Sequence, residues 1–234
     1  MSEIQREWLR RVEAEYTSAA LTQQLGLWLL QLTAPLELVR LALSIVEDEL
    51  THAELSQAVY ATAGGSARAQ LERERLGLRQ VAHEPLELAL ARVNLELFCL
   101  GETVAVRLFS RLRQGCSEPV ALAALDRILR DEVKHRDFGW TVLEWQLDTE
   151  QGEAVRELAQ RELPRMFARL RSSYAFDRLG TPSHPDPLAR RWGLMPPAEY
   201  ADALREAVER DYVPRFAELG LEAHVAWAAE RAGS

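Results

Sequence analysis

The chain predicts an all-α protein, a four-helix bundle built from two antiparallel hairpins joined by a long crossover, with further helices after it. Leu, Ala and Val dominate the apolar residues, and Gly and Pro are scarce before residue 150. No stretch alternates apolar and polar positions as a half-buried strand does. The 234 residues suit one sizeable core, assigned to residues 1–147, and a C-terminal helical extension over residues 148–234 packed on it.

The first helix is expected from about Gln5 to Thr33, ending ahead of Pro35 because the residue before a proline is biased out of the helical region. The second follows at once, from Leu36 to Thr62, and Gly64-Gly65-Ser66 stops it. So short a connection makes two long helices antiparallel neighbours. Residues 66 to 84 are charged and weakly patterned, which suits a crossover carrying a turn or two of helix. A third helix takes Pro85 to Gln114 and a fourth Glu118 to Leu147, with Ser117 as N-cap between them. Beyond lie a helix from Glu150 to Tyr174, a loop rich in Pro and Gly from Gly180 to Pro197, and a last helix starting near Ala198.

Two of these helices carry the same word, Asp48-Glu49-Leu50-Thr51-His52 and Asp131-Glu132-Val133-Lys134-His135. Residues three apart share a helix face, so each Glu-x-x-His sets a carboxylate beside an imidazole. Both pairs interrupt apolar stripes: Leu38, Ala42, Ile45, Glu49, His52, Ser56, Val59 in one helix and Leu125, Ile128, Glu132, His135, Gly139, Val142 in the other. A carboxylate at a core position costs several kcal/mol unless it is paired or bound to a cation. The pattern therefore predicts a cage for two metal ions; a buried ion-pair network is the competing reading.

Hairpin geometry extends the set. Residues equidistant from an antiparallel turn lie level, which places residue 102, a Glu in the stripe Leu95, Cys99, Glu102, Val106, Phe109, beside Glu132. The same reckoning puts Glu49 level with about residue 17, so Glu15 is the nearest carboxylate, with Glu13 or Gln23 as alternatives. Four carboxylates and two imidazoles balance two divalent ions, and hard oxygen ligands with imidazole suit iron or manganese. Cys99 and Cys116 form no Cys-x-x-Cys pair, which argues against an iron–sulfur centre or a disulfide scaffold.

One Glu, then Glu-x-x-His, one Glu, then Glu-x-x-His on successive helices resembles the ferritin-like di-iron carboxylate superfamily, over about residues 5 to 147. The resemblance implies a ferritin-like bundle holding two iron ions, or Mn/Fe or Mn, with O2 as co-substrate. It implies bridging by Glu49 and Glu132, terminal ligation by Glu15 and Glu102, and one imidazole per metal from His52 and His135. Asp48 and Asp131 match the Asp that accepts a hydrogen bond from the far nitrogen of a ligating His. The expected activity is an oxidase or oxygenase acting on a small organic molecule, fed by an external electron donor. The extension could wall a substrate pocket, with Phe98, Phe138, Trp140 and Trp192 as lining or as ordinary core. The extra His that arylamine N-oxygenases carry before the second motif is Ile128 here.

Iron storage or detoxification, or a peroxide-reducing rubrerythrin-like activity, is the alternative. The length and the missing Cys-x-x-Cys site count against it. A tRNA hydroxylase-like role is a further alternative, kept open by Arg190-Arg191. The net charge of −8 disfavours nucleic acid and anionic membranes as partners. Arginine supplies all the basic residues but Lys134, which points to a GC-rich bacterial genome. The first residues are charged and unlike a signal peptide, and no apolar run spans a bilayer, so a cytoplasmic protein is expected. A homodimer is expected from the hydrophobicity of the helices and the habit of the superfamily.

Overall fold

A computed structural model describes residues 1–174 and 186–229, and among these every regular element is helical. The chain divides into two compact units, each assembled from separate stretches. Within the described residues the first comprises 1–82, 112–134 and 186–195, the second 83–111, 135–174 and 196–229. One unbroken helix, α5 (Pro119–Leu147), contributes its first half to one unit and its second half to the other.

The first unit is organised by the α1 (Glu3–Gln31) and α2 (Leu36–Thr62) hairpin. Ser2 caps α1, its hydroxyl accepting from Gln5 N–H while the Gln5 side chain accepts from Ser2 N–H. Thr33 takes the left-handed conformation at φ 51° to turn the chain. Leu25 and Leu29 from α1 and Leu38, Ala42 and Ile45 from α2 are buried. At Gly26 an added Cβ would meet the Ala42 Cβ at 3.6 Å, an ordinary van der Waals contact, so the hairpin would accept an alanine there. The crossover carries one 3₁₀ turn, Arg73–Arg75. It is tied to α1 by Gln24, whose amide donates to the Leu76 carbonyl at 3.1 Å and accepts from Leu78 N–H at 2.8 Å.

Helix α5 starts at Pro119, one residue later than the sequence pattern predicts. The N–H groups of Ser117 and Glu118 both donate to the Arg191 carbonyl, at 2.9 Å. Arg191 ends the short α7 (Pro187–Arg191), which lies in the stretch expected to be loop; residues 180–185 of that stretch fall outside the described residues. Two α1 side chains hold the segment after α7: Trp8 Nε1 donates to the Trp192 carbonyl at 3.0 Å and Arg11 to that of Gly193 at 2.9 Å.

In the second unit the third helix is not uniform. It runs as α3 (Leu86–Asn94), then eight residues of π-helix over Leu95–Glu102, then α4 (Thr103–Gly115). The widened turns are braced from outside. Tyr212, itself fully buried, donates its hydroxyl to the Leu100 carbonyl at 2.6 Å, and Trp140 Nε1 donates to Thr103 Oγ1 at 3.0 Å. Burial pushes the Tyr212 phenol well above its usual range, which favours the protonated, donating form.

The extension helices share this unit's core. They are α6 (Gly152–Ser173), α8 (Pro197–Ala207), a second π turn Val208–Tyr212, α9 (Val213–Glu218) and α10 (Ala223–Ala229). Leu158, Phe167, Leu204 and Phe216 pack there with Leu95, Leu100, Trp140 and Leu143. The single last helix expected from Ala198 is thus interrupted at Leu219-Gly220, where Gly220 adopts φ 73°. Of the aromatics considered as pocket lining, Phe98 and Phe138 meet edge to face at 5.0 Å and Trp140 meets Phe216 at 4.8 Å, which is core packing. Removing only the brace hydroxyl, Tyr212→Phe, should lower stability by about 1 kcal/mol in urea unfolding with m unchanged, because the ring still fills its site.

Candidate metal centre

Three helical segments bring acidic and imidazole groups together in the first unit. Glu15 comes from α1, Glu49 and His52 from α2, and Glu132 from the first half of α5. All four are buried, with exposures of 8, 1, 0 and 2 %. One ligand atom from each of Glu15, His52 and Glu132 lies within 4.8 Å of the other two. Atoms gathered this closely from three helical segments could surround a common cation.

His52 is oriented at both ring nitrogens. Nε2 lies 3.2 Å from Asp131 Oδ2, and Nδ1 faces Glu49 Oε2 at 3.6 Å and Glu15 Oε2 at 3.9 Å. Arg127, one turn earlier on α5, pairs with Asp131. A proton on Nε2 would be donated to Asp131 and would leave Nδ1, which faces Glu15 and Glu49, as the ligating nitrogen. The aspartate of one motif thus serves the histidine of the other, across two helices.

The remaining groups fix the carboxylates. Ser18, one turn beyond Glu15 on α1, donates its hydroxyl to Glu49 Oε1 at 2.7 Å. Asp48, 7 % exposed, is held by Arg127 at 3.3 Å and by an ion pair with Lys134. The only lysine in the chain, which composition alone ascribes to genome bias, therefore has a specific place between the motifs. Neither motif nor stripe singles out Ser18, Arg127 or Lys134; their positions one turn from Glu15, Asp131 and Asp131 are the signal that could have found them.

Glu13 and Gln23, the alternatives to Glu15, lie elsewhere. Glu13 accepts from Gln70 N–H at 2.9 Å, and Gln23 is exposed. In the second unit, Glu102 closes the π-helical segment and His135 lies on α5, their ligand atoms within 4.8 Å of each other. His135 is fully buried and Glu102 half-buried. π turns recur at functional sites because the extra residue re-aims the side chains that follow it. Cys99, three residues before Glu102, is fully buried, and burial pushes its thiol far above the usual range; it behaves as a small apolar residue.

No helix of the described residues is long and apolar enough to cross a membrane. Comparison with known protein families, with curated proteins and with solved structures finds no match.

Proposed function

We propose that this chain is a non-haem di-iron, or Mn/Fe, oxidase or oxygenase of the ferritin-like type. The observation that carries the reading is the convergence of Glu15, His52 and Glu132 from three helices, with Asp131 placed at Nε2 of His52. The donor set fits: oxygen and imidazole ligands without thiolate suit iron and manganese. Glu15, Glu49, Glu102 and Glu132 with His52 and His135 are the six ligands, and their four negative charges balance two divalent ions.

Bound there, two irons would supply the redox chemistry by which O2 is reduced and an organic molecule oxidised. The protein's part is orientation and charge. Asp131 keeps the proton of His52 on Nε2, Ser18 fixes one oxygen of Glu49, and Arg127 and Lys134 neutralise the two aspartates so that the buried excess of negative charge stays with the ligands. Substituting Asp131 by Asn keeps the size and removes the charge. It should weaken Fe(II) or Co(II) affinity by roughly 10- to 100-fold in competition with a chromophoric chelator, with unchanged helicity.

Anaerobic Fe(II) loading of the full chain, desalting and metal analysis test the reading, followed by exposure to O2 with the visible spectrum recorded. About two retained irons per chain and a new oxidised-cluster absorption are expected. Absence of retained iron and manganese overturns the proposal. Uptake continuing far past two irons per chain overturns the oxygenase reading in favour of storage.

A further inference from the structure

One turn beyond His52 on α2 stands a hydroxyl that neither the ligand set nor the fold uses. Ser56 is 0 % exposed, and its Oγ forms no hydrogen bond with any of the described residues. A hydroxyl on a helix has a ready acceptor in the carbonyl four residues back. Thr17, Thr51, Thr62 and Thr141 all donate to that carbonyl, at 2.7, 2.8, 2.8 and 2.9 Å. Ser56 forgoes the carbonyl of His52, so its hydroxyl is turned away from its own backbone. A buried hydroxyl without an acceptor is destabilising, and alanine would fill nearly the same space as a better helix former.

The direction of that hydroxyl follows from the helix. Glu49, His52 and Ser56 share one face of α2, at spacings of three and four residues. Helical side chains lean toward the N-terminus of their helix, so Ser56 leans over the turn that carries His52. The facing stripe of α1 supplies Glu15, 3.9 Å from His52, and Ser18, which donates to Glu49 at 2.7 Å. The proton of Ser18 is thereby committed to a proposed ligand. That of Ser56 is committed to no group of the described protein.

We propose that Ser56 is the hydrogen-bond donor to a small exogenous ligand, water or a compact anion such as azide, at the ion of Glu15, His52 and Glu132. The assignment rests on the metal reading and deepens it. A metal held by few protein groups keeps positions for such a ligand, and a neutral donor beside them favours molecules that accept a hydrogen bond. Ser56 itself is not a ligand to the metal. The competing role is to hold a structural water, which would not depend on metal.

Azide titration of the Co(II)-loaded full chain, followed in the visible spectrum, tests the proposal. The wild type and Ser56→Ala should both retain about two Co(II) per chain. Ser56→Ala should weaken azide binding by roughly 10- to 100-fold, as loss of a hydrogen bond to an anion does. Ser56→Thr keeps a hydroxyl and should stay within about threefold of the wild type. Without metal, Ser56→Ala should withstand urea at least as well as the wild type, because it removes a hydroxyl that has no acceptor. Azide affinity in Ser56→Ala within about twofold of wild type, with both metals retained, overturns the proposal and leaves the metal reading standing. Lower metal-free stability alongside that unchanged affinity assigns the hydroxyl to a structural water. Loss of Co(II) from Ser56→Ala overturns the proposal by placing Ser56 among the groups that hold the metal. A wild type that retains no metal overturns the metal reading and the role of Ser56 with it.

Discussion

Replacing Glu132 by Gln is expected to do two opposite things: abolish metal retention at the Glu15, His52, Glu132 group and make the metal-free protein more stable. The substitution keeps the shape of the side chain and removes one negative charge from a place where Glu15, Glu49 and Glu132 are all at most 8 % exposed. Like charges at such separations, with little water between them, repel by several kcal/mol before screening. The neutral amide relieves part of that cost, so the metal-free variant should gain about 1 kcal/mol or more in chemical denaturation. If the buried groups instead formed a self-sufficient ion-pair network, removing one charge would strand its partner and cost about 3–5 kcal/mol. The sign of one stability difference therefore separates the two readings. Metal adds a second check. Ligand at 1,000 times its Kd stabilises the folded state by about 4 kcal/mol. Fe(II) or Mn(II) should thus raise the wild-type melting temperature by several degrees and that of the Glu132 variant by clearly less. A variant that is less stable without metal, yet gains as much as the wild type with it, would sink the assignment of Glu132.

Much of this centre is legible in the order of the amino acids alone. The two Glu-x-x-His words break apolar stripes at heptad-like spacing, and the cost of burying charge makes a cation the simplest explanation. Counting back from the hairpin turn reaches Glu15, and the structure sets its carboxylate 3.9 Å from His52. Other features have no signal at the level of pattern. The π-helical segment reads Leu-Glu-Leu-Phe-Cys-Leu-Gly-Glu, residues equally at home in an α-helix, and its widened turns depend on Tyr212 and Trp140, which are distant in sequence. The crossing of Asp131 to His52 depends on how helices face each other, which no spacing within one helix encodes. Lys134 and Arg127 have the pattern of ordinary surface charges, and both are more than a third exposed; only the placement of Asp48 and Asp131 beside them gives them a role.

Gly139 shows how closely the π-helical segment must approach α5, and Gly139→Ala should have a large structural effect on the second unit. On propensity alone, an alanine in the middle of α5 would stabilise the helix by about 1 kcal/mol. Here the added Cβ would lie 2.4 Å from Phe98 Cβ, 2.9 Å from the Phe98 carbonyl carbon and 3.0 Å from Cys99 N. Two of these are backbone atoms of the π segment, which cannot swing aside as the end of a long side chain can. The Gly139 carbonyl also binds that segment, accepting from Asn94 Nδ2 at 2.8 Å and from the Cys99 thiol at 3.3 Å, so separating the helices would break both contacts. Overpacking of this kind costs about 3 kcal/mol or more, so the net effect should be strongly destabilising despite the better helix former. Gly101→Ala is the control: its Cβ would meet only the Glu96 carbonyl at 3.4 Å, and it should stay within about 1 kcal/mol of wild type. The consequence reaches the proposed ligands, because Gly139 is one turn from His135 on α5 and Cys99 is three residues from Glu102. A Gly139→Ala protein that still folds should therefore lose the ion proposed at Glu102 and His135 while keeping the one proposed at Glu15, His52 and Glu132. Titration would then give about one Fe(II) or Co(II) per chain in place of two. Wild-type stability in that variant would mean that the helices do not meet at Gly139 as described.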